Sequence, residues 1–183
     1  MKPGKLLLHS CCAPCTTYSL RRLRDDGYEV KGLFYNPNIH PYTEYRKRLE
    51  AFVDYCARVG HDALIVDEYG LRDFLSAVRQ DFDERCAVCY EMRLHRAARQ
   101  AIETGCDAFT TSLTISPYQN HDLIKAVGSS VAEQEGVEFR YFDFRPGYRE
   151  SVSISREMGL YRQGYCGCIF SEEDRYARPG RKV

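Results

Sequence analysis

Short apolar runs bounded by turn residues alternate with longer amphipathic stretches in this chain, and few folds accept that order. The runs at Lys5–His9 (KLLLH), Val30–Tyr35, Ala63–Val66, Ala108–Thr111 and Val137–Phe142 read as strands. Helical patterns lie between them. Tyr18–Asp26 is ended by Gly27, and Tyr42–Val59 carries Tyr45, Leu49, Phe52, Val53 and Cys56 at helical spacing, with Gly60 as its stop. Leu71–Val78 reads as a short helix. Cys89–Thr104 sets Tyr90, Leu94, Ala97, Ala98 and Ile102 on one face before Gly105, and His121–Glu135 precedes Gly136. Strands joined through helices pair in parallel, because a parallel crossover needs a dozen or more residues. The expectation is an α/β fold: a doubly wound, mainly parallel five-stranded sheet, with an irregular helical C-terminal segment. Without repeats or linkers, 1–183 reads as a single α/β domain, its segment from about 146 to 183 packed on the active-site rim.

Ligands in such folds sit beyond the carboxyl ends of the strands, where strand order reverses. The first strand runs from His9 straight into SCCAPC, and the fourth runs through Thr110–Ser112 into LTISPYQN. Both loops are therefore expected on one rim. A chain of 183 residues buries enough surface for a core without disulfides. It has no apolar run approaching ~18 residues, so no membrane span is expected. The apolar run in MKPGKLLLHSCCAPC is too short for a signal peptide, which points to the cytoplasm.

The loudest chemical signal is nine cysteines: Cys11, Cys12, Cys15, Cys56, Cys86, Cys89, Cys106, Cys166 and Cys168. An odd number in a reducing compartment reads as metal or redox chemistry, not as a disulfide framework. Cys11, Cys12 and Cys15 stand between a strand and a helix, where free N–H groups favour thiolate. Cys86 and Cys89 form CAVC just before the strong helix. A CxxC pair needs about two more thiolates to close a metal centre, and Cys11 and Cys12 are the obvious source. Four such ligands hold Zn2+ or a [4Fe–4S] cluster, and spacing does not choose between them. The location on the ligand rim favours iron–sulfur. Cys166 and Cys168 form CGC, either a strained labile disulfide or further metal ligands. Cys56, on a helix face, and Cys106, entering a strand, read as packing.

The remaining candidates carry two readings each. His9 is a proton donor or a satisfied buried histidine, and His40 and His121 lie in loops at or near the rim with the same alternatives. Asp143, ending the fifth strand, is a general acid or ligand, or a cap for the next segment. Arg46 and Arg48 read as including a solvated helix face. Twenty-six basic and 26 acidic side chains exclude a general nucleic-acid sponge, so such a partner must be held by a local patch. Arginine outnumbers lysine 20 to 6, which reads either as a compositional bias of lineage or temperature or as a choice of the planar fork that suits phosphate contacts and base stacking. Arg145, Arg149, Arg156 and Arg162, interleaved with Tyr148, Tyr161 and Tyr165, fit a surface that grips phosphate and stacks bases.

LLHSCCAPC, FYNPNIHPYTEYRKR, RCAVCYEMRL, FTTSLTISPYQN and LYRQGYCGC, in order from residue 6 to about 171, resemble the QueH-type epoxyqueuosine reductases. The resemblance implies the last step of queuosine biosynthesis: reduction of the epoxide of epoxyqueuosine, at the wobble position of tRNA, to queuosine without cobalamin. It implies Cys11, Cys12, Cys86 and Cys89 as ligands of a [4Fe–4S] cluster and Cys166 with Cys168 as a redox-active pair. Cys15 is left for a second metal, a mononuclear iron. It implies tRNA and an unidentified electron donor as partners. The fold it implies is that of the PP-loop, adenine-nucleotide-hydrolase-like proteins, although HSCCAPC replaces their SGGxDS loop, which speaks against ATP binding. Two other readings stand beside it: an iron–sulfur-dependent tRNA sulfur-transfer enzyme of the PP-loop type, and a zinc-stabilised RNA-binding module.

Overall fold

Strand β1 (Lys5–His9) lies at the centre of a five-stranded parallel sheet, between β2 (Glu29–Phe34) and β4 (Ala108–Thr111). The order is β3-β2-β1-β4-β5, with β3 (Ala63–Ile65) and β5 (Glu138–Phe139) at the edges. The computed structural model describes residues 4–79 and 81–177. Leu6, Leu7 and Leu8 are all fully buried, as a central parallel strand with both faces covered requires. Because successive side chains point to opposite faces, Leu6 and Leu8 join Phe34, Tyr45 and Phe52 in one core, and Leu7 joins Leu33, Leu94 and Phe109 in the other. Helices α1 (Ala13–Asp25) and α2 (Tyr42–Val59) cover the first face. Helices α4 (Arg85–Glu103) and α5 (His121–Glu135) cover the second, and α3 (Leu71–Val78) packs on α4.

The expected architecture is present, with five local differences. Helix α1 starts at Ala13 rather than Tyr18, because Cys12 caps it and Pro14 sits in its first turn, where a missing N–H costs nothing. Helix α4 starts at Arg85, so CAVC forms its first turn instead of preceding it. Val53 and Ile102 are 45% and 51% exposed, off the buried stripes, and Ala101 takes the inward place expected of Ile102. Strand β5 keeps two residues of the six expected. Its ladder ends with Arg140 N–H donating to the Phe109 carbonyl at 2.9 Å. Beyond it Phe142 and Phe144 stack on each other and meet Tyr28 and Tyr18 edge-on, so burial over α1 replaces sheet pairing. Arg48 is buried rather than solvated, because Glu44 and two backbone carbonyls of the C-terminal segment receive its guanidinium.

The C-terminal segment adds α6 (Tyr148–Glu157), packed on α1, and α7 (Ile169–Tyr176). Residues 178–183 of the expected segment lie outside the described residues. No helix among the described residues is long and apolar enough to cross a membrane.

Candidate functional site

The turn from β1 into α1 builds the first half of the rim. Cys12 adopts an extended conformation and its Sγ accepts from the Cys15 N–H at 3.4 Å, doing the work a serine oxygen does at most helix starts. Cys11 N–H donates to Ser112 Oγ at 3.2 Å, and Ser112 Oγ lies 3.7 Å from Cys11 Sγ. The loops after β1 and β4 therefore meet, as their strand ends require. The sulfurs of Cys11, Cys12 and Cys15 all lie within 4.8 Å of one another, and those of Cys11 and Cys12 are 3.8 Å apart. Hydrogen bonding with Cys12 and Cys15 holds Cys11 well below the usual thiol range. Burial pushes Cys12 up, and hydrogen bonding to Cys11 pushes Cys15 up. Gln163 Nε2 adds a donor to Cys12 Sγ at 3.0 Å.

The first turn of α4 supplies the second half. Cys89 is buried, and Arg93 donates to its Sγ at 2.9 Å and to its carbonyl at 3.0 Å. Burial raises the Cys86 and Cys89 thiols, and both also feel charge at Cys166 and Cys168. Burial works against the Arg93 charge, while charge at Cys89, Cys166 and Cys11 favours it. Cys11, Cys12, Cys86 and Cys89 do not form a group within the 4.8 Å that a single ion asks of its ligands.

Cys166 and Cys168 are free thiols. Cys168 Sγ caps α7 by accepting from Ser171 N–H at 3.4 Å. Cys166 Sγ accepts from Gln119 Nε2 at 3.2 Å, and Tyr90 donates to Gln119 Oε1 at 2.6 Å, which turns the amide nitrogen toward the sulfur. Gly167 between them has φ +150, a conformation glycine tolerates best. This segment hangs on Arg48. Its guanidinium, 1% exposed, donates to the carbonyls of Cys166 (2.7 Å) and Tyr165 (3.0 Å) and to Glu44 Oε1 (2.7 Å). Tyr161 donates to the other Glu44 oxygen. Arg46, by contrast, pairs with Asp67 at the surface, as a helix-face arginine should.

The other candidates are already engaged. His9 is fully buried, with Nδ1 2.9 Å from Thr111 Oγ1 and Nε2 3.1 Å from the Tyr35 carbonyl. Burial lowers its pKa to about 4, so the ring is neutral and closed off. Asp143 is clasped by Arg145 Nε and Nη2 at 2.8 and 2.5 Å, which lowers it to about 2. His40 meets the Pro37 carbonyl at 3.2 Å, and His121 meets Tyr141 Oη at 2.8 Å. Cys56 and Cys106 are packed in the two cores, as expected. Of the three tyrosines expected to stack bases, Tyr161 and Tyr165 spend their hydroxyls on Glu44 and the His40 carbonyl. Tyr148 lies edge-on to Tyr118, 6.3 Å between centroids, and Tyr118 is 77% exposed. Arg149, Arg156 and Arg162 are exposed. Sequence reasoning missed Arg93, Gln119 and Gln163 and misplaced Arg48. Two signals were present: Arg93 follows Cys89 by one helical turn, and Arg48 interrupts the apolar stripe of α2 four residues after Glu44.

Residues 6–174 match the sequence model of the family described as Epoxyqueuosine reductase QueH. The chain belongs to the QueH family. Epoxyqueuosine reductase QueH of Dehalococcoides mccartyi is 40% identical to it over 175 residues, which cover 96% of each chain. That of Thermotoga maritima is 39% identical, covering 98% of this chain and 97% of the other. Among solved structures, the U34-tRNA thiolase NcsA from Methanococcus maripaludis with its [4Fe-4S] cluster superposes with a TM-score of 0.58. Its identity is 16%, over 99% of this chain and 69% of that one. A predicted subunit of tRNA methyltransferase from Methanocaldococcus jannaschii superposes at 0.52 with 10% identity, over 85% of this chain and 74% of that one. These two likenesses concern the α/β fold alone. They agree with the expected mainly parallel, helix-covered sheet.

Proposed function

We propose that this QueH-family chain reduces the epoxide of epoxyqueuosine in tRNA to the alkene of queuosine, acting as one α/β domain whose C-terminal segment lies over the rim. Family membership over nearly the whole chain supports the substrate. The observation that carries the chemistry is the convergence of the Cys11, Cys12 and Cys15 sulfurs, all within 4.8 Å of one another at the turn from β1 into α1. Removing an epoxide oxygen to leave an alkene takes two electrons and two protons and releases water. Cys166 and Cys168 balance that account as free thiols: their oxidation to one disulfide yields two electrons and two protons. A separate electron donor then returns the pair to the dithiol.

The donor set fits a thiophilic metal centre, with the sulfurs of buried Cys11 and Cys12 and half-buried Cys15 close together. Cys11, Cys12, Cys86 and Cys89 would hold an iron–sulfur cluster and Cys15 would serve a second iron beside it. Bound there, such groups supply single-electron transfer and a Lewis acid for the departing oxygen. The chain's own residues prepare the place. Gln119 orients the Cys166 sulfur, Arg48 fixes the loop that carries it, and Ser112 ties the β4 loop to Cys11. Asp143, held as a carboxylate by Arg145, accepts protons poorly, and His9 has no free nitrogen to donate from, so the dithiol is the better proton source. Tyr118, projecting beside Gln119, offers a ring on which a base flanking the modified nucleotide stacks.

The test is anaerobic purification of the parent and Cys86→Ala, with iron and sulfide analysis and a tRNA reduction assay. The parent is expected to be brown and active, and the variant to lose both properties. Retained colour with unchanged reduction in Cys86→Ala refutes the reading. One equivalent of zinc and no iron in the parent would favour an RNA-binding module. ATP-dependent sulfur transfer is less well supported, because the start of α1, where phosphates would sit, carries the sulfur triad.

A further inference from the structure

Helix α4 carries a charge that the thiol and proton chemistry of epoxide reduction does not use. Arg93 follows Cys89 by four positions, so one turn of helix sets its side chain against that cysteine. It is 2% exposed. One nitrogen of its fork binds the Cys89 carbonyl and another the Cys89 sulfur, and the Tyr90 ring lies 5.8 Å away. The other deeply buried guanidinium of the site has a carboxylate: Arg48 has Glu44. Among the described residues, no carboxylate forms an ion pair with Arg93.

A buried, unpaired cation is among the costliest things a fold can hold, and a guanidinium does not escape by losing its proton. Compensation must come from the groups that face it. The one that meets its fork is the Cys89 sulfur, at 2.9 Å. The balance of charge closes only if the sulfur assembly is anionic.

We propose that Arg93 is the fixed counter-charge of the rim's sulfur centre and sets the potential at which that centre accepts an electron. The proposal rests on the reading that the rim cysteines hold an iron–sulfur cluster. Arg93 touches a ligand sulfur rather than the substrate, so it is a positioning residue that acts through charge. An electron arriving from a low-potential one-electron donor adds negative charge beside the guanidinium, where burial leaves the attraction weakly screened. No bond forms or breaks at Arg93, and it keeps its proton throughout. The fork also explains arginine over lysine, since an ammonium lacks the geometry to hold carbonyl and sulfur together.

The experiment compares the parent with Arg93→Lys and Arg93→Gln, purified without oxygen. Iron and sulfide are quantified, and reduction is followed through visible absorbance and electron paramagnetic resonance during a redox titration. Arg93→Lys is expected to hold parental iron and titrate close to the parent. Arg93→Gln is expected to shift the reduction equilibrium at least tenfold toward the oxidised state, a fall of about 59 mV for one electron. If Arg93→Gln loses its iron, the proposal requires Arg93→Lys to keep it, because charge is the claim. Equal potentials in all three proteins, or equal loss of iron in both variants, overturns the proposal. A parent that binds no iron overturns the iron–sulfur reading beneath it instead.

Discussion

Replacing Arg48 by methionine probes the join between the α/β core and the cysteine-bearing C-terminal segment. The substitution fills similar volume but removes three charge-assisted hydrogen bonds, to Glu44 Oε1, the Cys166 carbonyl and the Tyr165 carbonyl. It leaves the buried Glu44 carboxylate with only the Tyr161 hydroxyl. Breaking a buried pair from one side costs about 3–5 kcal/mol, mostly for the charge left behind. That is a large share of the roughly 5–15 kcal/mol that holds a domain of this kind together. Removing the charge as well should recover part of the loss, so Glu44→Leu/Arg48→Met is expected to be less destabilised than the sum of its single variants by about 1.5 kcal/mol or more. Urea denaturation of the four proteins, metal-free and fully reduced so that ligand binding does not enter, measures the cycle. Hydrogen exchange supplies the local readout: the His40 amide, which donates to the Gly167 carbonyl at 2.8 Å, should exchange faster in Arg48→Met. A single-variant loss below about 1 kcal/mol together with an additive cycle would show that Arg48 and Glu44 do not anchor the segment.

Two further outcomes are expected of the same structure. His61 is buried with neither ring nitrogen hydrogen-bonded, and burial lowers its pKa from 6.5 to about 4. Its neutral form is the folded one, so its contribution is complete above pH 6.5 and is lost as pH falls toward 4. The slope within that window is at most about 1.4 kcal/mol per pH unit for one proton. His61→Leu should flatten the dependence of the urea midpoint on pH across that range, and an unchanged slope would refute the assignment. Stacking on an exposed tyrosine is worth about 1–3 kcal/mol per base, so Tyr118→Ala should raise KM for the modified tRNA roughly 5- to 150-fold with kcat little changed. Tyr118→Phe should behave like the parent, and a Tyr118→Ala enzyme with parental KM would take the ring out of the interface.

The order of strands and helices was legible in the chain because each element writes its own pattern locally. KLLLH has no polar face to offer water, so it had to lie under two layers, and the loops after β1 and β4 had to share a rim because parallel strands end on one side. The cysteine motifs could be read as a site for the same reason: thiols clustered at strand ends make poor packing material. What the local pattern does not contain is which groups meet across many tens of residues. Only the assembled structure draws Cys11, Cys12 and Cys15 into a tight triad and sets a buried Arg93 against Cys89. Only it closes both nitrogens of His9 against Thr111 and Tyr35, and turns Arg48 inward. Periodicity reports how strongly a face avoids water. Whether a charged or titratable side chain may enter that face depends on a partner waiting there, and partners such as Glu44 and the Cys166 carbonyl are brought together by the fold.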